Sequence, residues 1–138
     1  MATGKAPVGF TGTRNGMSPR QKEHLKKFLE CFASEFHHGD CVGADEEAHL
    51  IALEVGIPIV IHPPAHTLYQ AFCQSRHPGP NIRVLGPLDY LDRNHGIVDS
   101  TSGLVAAPQT MMEKLRSGTW ATVRYARKIN KFVHVLPR

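Results

Sequence analysis

The chain has 138 residues, of which 41% are hydrophobic and 20% charged, and a formal net charge of +4. That length suits one domain spanning 1–138 with a sizeable core, and no apolar run is long enough for a transmembrane helix. Cys31, Cys41 and Cys73 stand at unrelated spacings without a C-x-x-C, which argues against a disulfide framework or a zinc knuckle.

Met1 to Pro7 carry no apolar stretch of signal-peptide length, so a cytoplasmic protein is expected. Val8-Gly9-Phe10-Thr11 reads as a buried first strand, ended by the turn Gly12-Thr13-Arg14. Ser18-Pro19-Arg20-Gln21 opens a helix: Ser18 caps it, Pro19 suits the first turn and Gln21 completes a capping box. Leu25, Phe28, Leu29 and Phe32 form its apolar stripe, and Cys31 is expected as a small core residue. A short strand is predicted near Glu35 to Gly39. A second helix carries Ala48, Ile51, Ala52 and Val55 and stops at Gly56. Ile57 to His62 is a third strand, closed by Pro63-Pro64. Thr67 to Cys73 is predicted as a short helix and Gln74 to Pro80 as a loop. A strand over Ile82 to Leu85, a helix over Leu88 to Val98 and a buried strand over Gly103 to Pro108 follow. Gln109 to Ser117 is a connection, Gly118 opens the last helix, and Phe132 to Leu136 is the last strand. Alternating strands and helices predict an α/β, doubly wound, Rossmann-like three-layer sandwich with a mostly parallel sheet.

In such sheets ligands bind outside the carboxyl ends of the strands. Gly12-Thr13-Arg14, Gly39-Asp40-Cys41-Val42-Gly43-Ala44-Asp45, Pro108-Gln109 and Ser117-Gly118-Thr119 are all expected there. Gly118-Thr119 at a helix start offers free backbone N–H groups and a hydroxyl to phosphate. Gly12-Thr13-Arg14 adds a close-approach glycine, a hydroxyl and a guanidinium, without a Walker A loop. Asp40 or Asp45 serves ribose hydroxyls or orders the glycine turn. Each segment alone also reads as an ordinary turn or cap. His37 and His38 should face opposite sides of their strand. No H-E-x-x-H or helical H-x-x-x-H occurs among the nine histidines, so no metal site and no resident cofactor are expected.

These pieces resemble the SLOG superfamily, the Rossmann-like group that contains DprA and the Lonely-guy phosphoribohydrolases. The matching residues are Gly9 to Arg14, His38 to Asp45, Arg93-Asn94 with Ile97-Val98 and Asp99, Leu104 to Pro108, and Ser117 to Thr122. The resemblance implies a nucleotide pocket built from the glycine turns, the Arg93-Asn94 pair and the helix at Gly118. It also implies a homodimer or higher homo-oligomer. The enzyme branch carries P-G-G-x-G-T-x-x-E, whereas here Pro108 lies nine residues before Ser117 and Thr122 stands at the Glu position. Trp120 either stacks on a base or packs in the core or a dimer interface.

The leading expectation is therefore a binding or sensing domain for AMP, ADP-ribose or a similar phosphate-bearing nucleotide, without a membrane role. Phosphoribohydrolase action on a nucleoside 5′-monophosphate, with Asp45 or Glu113 as acid or base, is the alternative. Single-stranded nucleic-acid binding, motivated by a pI of about 9.2 and a basic last helix, is the third.

Overall fold

The computed structural model describes residues 4–138; Met1 to Thr3, part of the segment read for a leader, lie outside the described residues. Six parallel strands form one sheet in the order β4-β3-β2-β1-β5-β6. They are β1 (Ala6–Gly12), β2 (Ala33–His38), β3 (Ile59–Ile61), β4 (Ile82–Val84), β5 (Gly103–Ala107) and β6 (Phe132–Val135). The helices are α1 (Pro19–Phe32), α2 (Ala44–Val55), α3 (Cys73–Arg76), α4 (Tyr90–Asp99) and α5 (Gly118–Lys128). β1 pairs with β2 on one side and β5 on the other, so the chain reverses direction across the sheet at β1. A crevice at the C-terminal strand ends is expected at that reversal.

Side-chain alternation assigns each strand residue to a layer. Val8, Phe10, Phe36, Val105 and Ala107 join the core beneath α1 and α2, where the rings of Phe10 and Phe36 meet at 5.8 Å. Leu104 and Ala106 join Ile97, Val98, Trp120, Val123 and Ala126 in a second core under α4 and α5. Gly9 faces that second layer, and a Cβ there would stand 2.9 Å from Ile97 Cγ2. Both sheet faces are covered, which is why the strands are apolar runs with little alternation. Among the described residues, no helix is long and apolar enough to cross a membrane.

The start of α1 follows its local code. Ser18 Oγ accepts from the Gln21 N–H at 3.1 Å, and Gln21 Oε1 accepts from the Ser18 N–H at 3.0 Å. Gln21 is fully buried because its Nε2 also donates to the Pro108 and Leu136 carbonyls. The buried row of α1 is Gln21, Leu25 and Leu29, at i, i+4 and i+8. Phe28 is half-buried, while Phe32 is 52% exposed and Cys31 is exposed, correcting both predicted core positions. The helix ends where the chain enters β2, and Phe32 packs beside Phe28, with ring centroids 5.0 Å apart, in a surface groove.

α2 ends at Gly56, whose φ of 86° is the left-handed conformation that closes a helix. β3 keeps only Ile59 to Ile61 of the predicted Ile57 to His62. The predicted helix over Thr67 to Cys73 is absent. Residues 62–72 instead form an irregular strap, paired to the β2–α2 loop by an antiparallel bridge from Gln70 to Cys41. α3 starts at Cys73, so Gln74 to Arg76 are helical where a loop was predicted. Tertiary hydrogen bonds, described below, override the weak local pattern here.

Candidate functional site

A cleft of about 790 Å³ opens at the C-terminal ends of β1, β2 and β5. Its volume lies within the range typical of small-molecule sites. Of the residues marked in the sequence, Gly12, Thr13, Arg14, Gly39, Asp45, Arg93, Asn94, Ser117, Gly118 and Thr119 line it. Asp40, Gly43, Pro108 and Glu113 do not.

The glycines at the rim are fixed by close packing. A Cβ on Gly12 would stand 2.5 Å from the Cβ of Ala44, and one on Gly39 would stand 2.5 Å from a guanidinium nitrogen of Arg93. Gly43 has a φ of 88°, and a Cβ there would overlap the Arg14 carbonyl. Its role is to let the β1 turn lie against the start of α2, where the Ala44 N–H donates to the Thr13 carbonyl at 3.0 Å. Gly43 is thus a packing hinge behind the cleft wall. Pro108 is buried, and its carbonyl accepts from Gln21. The cleft-lining member of that pair is Gln109, whose Oε1 accepts from the Thr13 hydroxyl at 3.3 Å.

At the far wall α5 begins with Ser117 as its cap, the Ser117 hydroxyl accepting from the Trp120 N–H at 3.2 Å. The first-turn N–H groups of Gly118 and Thr119 have no carbonyl one turn back to receive them. Gly118 is exposed, and a Cβ there would meet nothing within 4 Å. Thr122 does not face the cleft; its hydroxyl donates to the Gly118 carbonyl at 2.9 Å. Trp120 is 5% exposed, donates Nε1–H to the Thr110 carbonyl and belongs to the second core, which excludes a base-stacking role. Glu113 pairs with Arg124 at 3.1 Å outside the cleft, so it cannot act as its acid or base.

Asp40 is buried and adopts a φ of 59°. Its carboxylate accepts from the Cys73 N–H at 2.9 Å and from Gln70 Nε2 at 3.0 Å, and its carbonyl accepts from the Ala71 N–H at 2.7 Å. Its charge therefore holds the 62–72 strap against the loop, which corrects the ribose role considered for it. The strap in turn delivers Tyr69 to the cleft, with the Val42 N–H bonded to the Tyr69 carbonyl at 2.8 Å.

Arg93 is 5% exposed and is committed to protein acceptors. It donates to the carbonyls of Gly39 and His62, to Asn94 Oδ1 at 2.8 Å and to Cys41 Sγ at 3.6 Å. It brings positive charge to the floor of the cleft while its N–H groups brace the wall. The exposed cations of the cleft are Arg14, whose guanidinium carbon lies 3.9 Å over the Tyr69 ring, and Arg116.

Asp45, in the first turn of α2, is 6% exposed. Burial pushes its carboxyl up to about 6; the Arg93 charge and the amide hydrogens of Cys41 and Gly39 offset part of that, and Asp40 adds to it. Burial likewise raises the Cys41 thiol, which lines the same wall.

The cleft-lining residues that lie outside every segment marked in the sequence are Asn15, Tyr69, Tyr90 and Arg116. Arg116 adjoins the marked Ser117 and was within reach of the local pattern. Tyr69 and Tyr90 carried no local signal.

The adjacent histidines do face opposite layers. On one side His62 Nε2 meets His37 Nδ1 at 2.8 Å, and His37 Nε2 meets Glu35 at 2.6 Å. On the other, His38, His49 and Cys73 bring their ligating atoms within 4.8 Å of one another. Hydrogen bonds account for that cluster. The Asp40 N–H donates to His38 Nδ1 at 3.0 Å, which puts the His38 proton on Nε2. Nε2–H then donates to His49 Nδ1 at 2.9 Å, and His49 Nε2–H donates to the His77 carbonyl at 2.9 Å. A metal on His38 Nε2 would leave that ring with no proton on either nitrogen, so the residues present do not suit one.

No protein-family model matches the chain, and no curated protein matches it. Solved structures do. The molybdenum cofactor binding protein of Rippkaea orientalis superposes with a TM-score of 0.69 at 20% identity, over 95% of this chain and 76% of that one. DprA of Streptococcus pneumoniae gives a TM-score of 0.71 at 20% identity, over 99% of this chain and 52% of that one. This chain therefore spans about half the length of that DprA. The Moco carrier protein of Chlamydomonas reinhardtii gives 0.62 at 22% identity, over 96% of this chain and 76% of that one. The chain thus has the Rossmann-like fold shared by DprA and the molybdenum cofactor carriers, in line with the SLOG resemblance of its motifs.

Proposed function

We propose that the cleft binds a phosphate-bearing nucleotide or nucleotide derivative and that the chain works as a binding or sensing domain. One observation carries this reading: the free first-turn N–H groups of Gly118 and Thr119 converge with the exposed guanidinium groups of Arg14 and Arg116 on one cleft at the strand ends. A helix N-terminus and a guanidinium each favour a phosphate, and together they give it both charge and directed donors. Tyr69 and Tyr90, both partly exposed in the cleft, provide aromatic faces for a base. Neighbours named for a molybdenum cofactor and for DNA processing support a binding role for the fold.

The test is a thermal-shift titration with AMP, ADP-ribose, NAD and a short oligonucleotide. A ligand that binds only the folded state raises the melting temperature with concentration. Arg14→Ala and Gly118→Leu should abolish the shift. Gly118 suits the purpose because the space around its Cβ is open, so a bulky residue blocks the N–H groups without disturbing the core. Unchanged shifts in both variants would refute the placement.

Asp45 favours a second reading, N-glycosidic hydrolysis of a nucleoside 5′-monophosphate. A carboxyl raised to about 6 on a cleft wall is suited to general acid work. Free base released from AMP, and lost in Asp45→Asn, would support hydrolysis; no release at high protein concentration would leave binding alone.

A further inference from the structure

The carboxyl of Asp45 is more than nine-tenths buried, yet it has no ion-pair partner among the described residues. Its Oδ2 accepts one bond at hydrogen-bonding geometry, from the Cys41 N–H at 3.2 Å. Oδ1 accepts no bond of full hydrogen-bonding geometry, although the Gly39 amide hydrogen also favours the carboxylate. Among the described residues no side-chain polar atom is both buried and unsatisfied, so Oδ1 keeps access to the cleft that Asp45 lines. The nearest cation, Arg93 from α4, has its N–H groups committed to Gly39, His62, Asn94 and Cys41. The other titrating or charged groups around Asp45 are Asp40, turned into the strap, and the Cys41 thiol, both of the β2–α2 loop, and the buried Cys73 thiol of α3. Its neighbours on α2 are engaged elsewhere, Glu46 with His77 and Glu47 with Lys22. Arg14 faces the same cleft from the β1 turn.

We propose that Asp45 meets the ligand as a neutral carboxylic acid, donating its proton in a hydrogen bond to an anionic oxygen of the ligand, so that binding in the cleft takes up a proton. The proposal rests on the anion-binding reading above and adds the chemistry of the group that faces Asp45: an oxyanion acceptor. Two physical effects drive the uptake in the same direction. Ligand entry expels the remaining water from Oδ1, and the ligand's negative charge approaches a carboxyl that has no cation of its own; each disfavours the carboxylate. A ligand that instead presents hydroxyl donors to Asp45 favours the carboxylate and releases protons. The sign of the proton exchange therefore identifies the facing group.

The starting state sets the size. With the free carboxyl titrating at about 6, only about a tenth of the free protein carries the proton at pH 7, so full protonation in the complex takes up roughly nine-tenths of a proton. By linkage the dissociation constant then rises close to tenfold from pH 7 to pH 8.

The experiment is isothermal titration of the whole chain with ADP-ribose at pH 7, in buffers of different ionisation enthalpy. The pyrophosphate of ADP-ribose is a diester and exchanges no proton of its own near neutral pH, unlike a phosphate monoester. The expected result is uptake of close to one proton in the wild type and none in Asp45→Asn, which keeps an acceptor for the Cys41 N–H. The variant should bind with little change between pH 7 and pH 8. Binding without proton exchange, binding with proton release, or uptake retained in Asp45→Asn overturns the proton step and leaves the binding reading standing. Failure of ADP-ribose, AMP, NAD and the oligonucleotide alike to bind overturns both.

Discussion

Asp45→Asn should stabilise the free protein at pH 8. The wild-type carboxyl moves from 3.8 to about 6 on folding, chiefly through burial. A tenfold change in proton affinity corresponds to about 1.4 kcal/mol, so the ionised carboxylate costs the folded state at most about 3 kcal/mol. Water reaching Oδ1 through the cleft reduces that, and about 1–3 kcal/mol is expected. The sign follows from proton binding: the folded state holds this proton more tightly than the unfolded chain. Folding therefore gains stability as pH falls from about 6 towards 3.8 and loses it as pH rises through the same window. Asparagine has the shape of the neutral acid and never ionises. Urea denaturation of both proteins at pH 8 and pH 4.5 measures the effect. The variant should lead at pH 8, and the lead should shrink to a fraction of its size at pH 4.5. A variant less stable at pH 8, or a lead that does not change with pH, would refute the assignment of Asp45 as a desolvated carboxylate. A carboxylate kept at this cost in a cleft fits the general trade between stability and function.

The buried imidazoles act in the opposite direction. Burial lowers His37, His38 and His49, and takes His62 to about 4. The unfolded chain takes up their protons first, so stability present above pH 6.5 falls as pH drops towards 5. Measured in the Asp45→Asn background, the slope of unfolding free energy against pH should correspond to more than one proton; a flat profile would contradict their burial. Gly43→Ala should lose about 2 kcal/mol or more in chemical denaturation, because it forces a side chain into a positive-φ site against the Arg14 carbonyl. Gln21→Met should cost about 1–3 kcal/mol by leaving the Leu136 carbonyl without its donor and the Pro108 carbonyl with only the long bond from Arg138, measured the same way. A thiol reagent should modify Cys31 quickly in the native state and Cys73 only on unfolding, with mass spectrometry as the readout.

The sequence by itself determined the layered plan. Apolar runs alternate with helical stripes, and the Ser18 box, Gly56 and the Ser117 cap mark helix ends through contacts no more than five residues apart. A parallel sheet also places every βα turn at one edge, so the segments around Gly12, Gly39 and Gly118 could be grouped before any distance was known. What the tertiary structure decided is which atoms of those turns face the ligand. Asp40 and Asp45 are both acids in one short turn, yet the left-handed backbone at Asp40 turns the first into the strap and leaves the second open to the cleft. Tyr69 reaches the cleft through a bond to Val42, 27 residues away in the chain, and His38 finds His49 through packing between β2 and α2. Phe32 and Cys31 fit the helical pattern, but the row of α1 that packs on the core is Gln21, Leu25 and Leu29, and both are left exposed. Local patterns record which face of an element is apolar; where that face ends, and which polar group it meets across the sheet edge, depends on distances between segments that only the folded chain brings together.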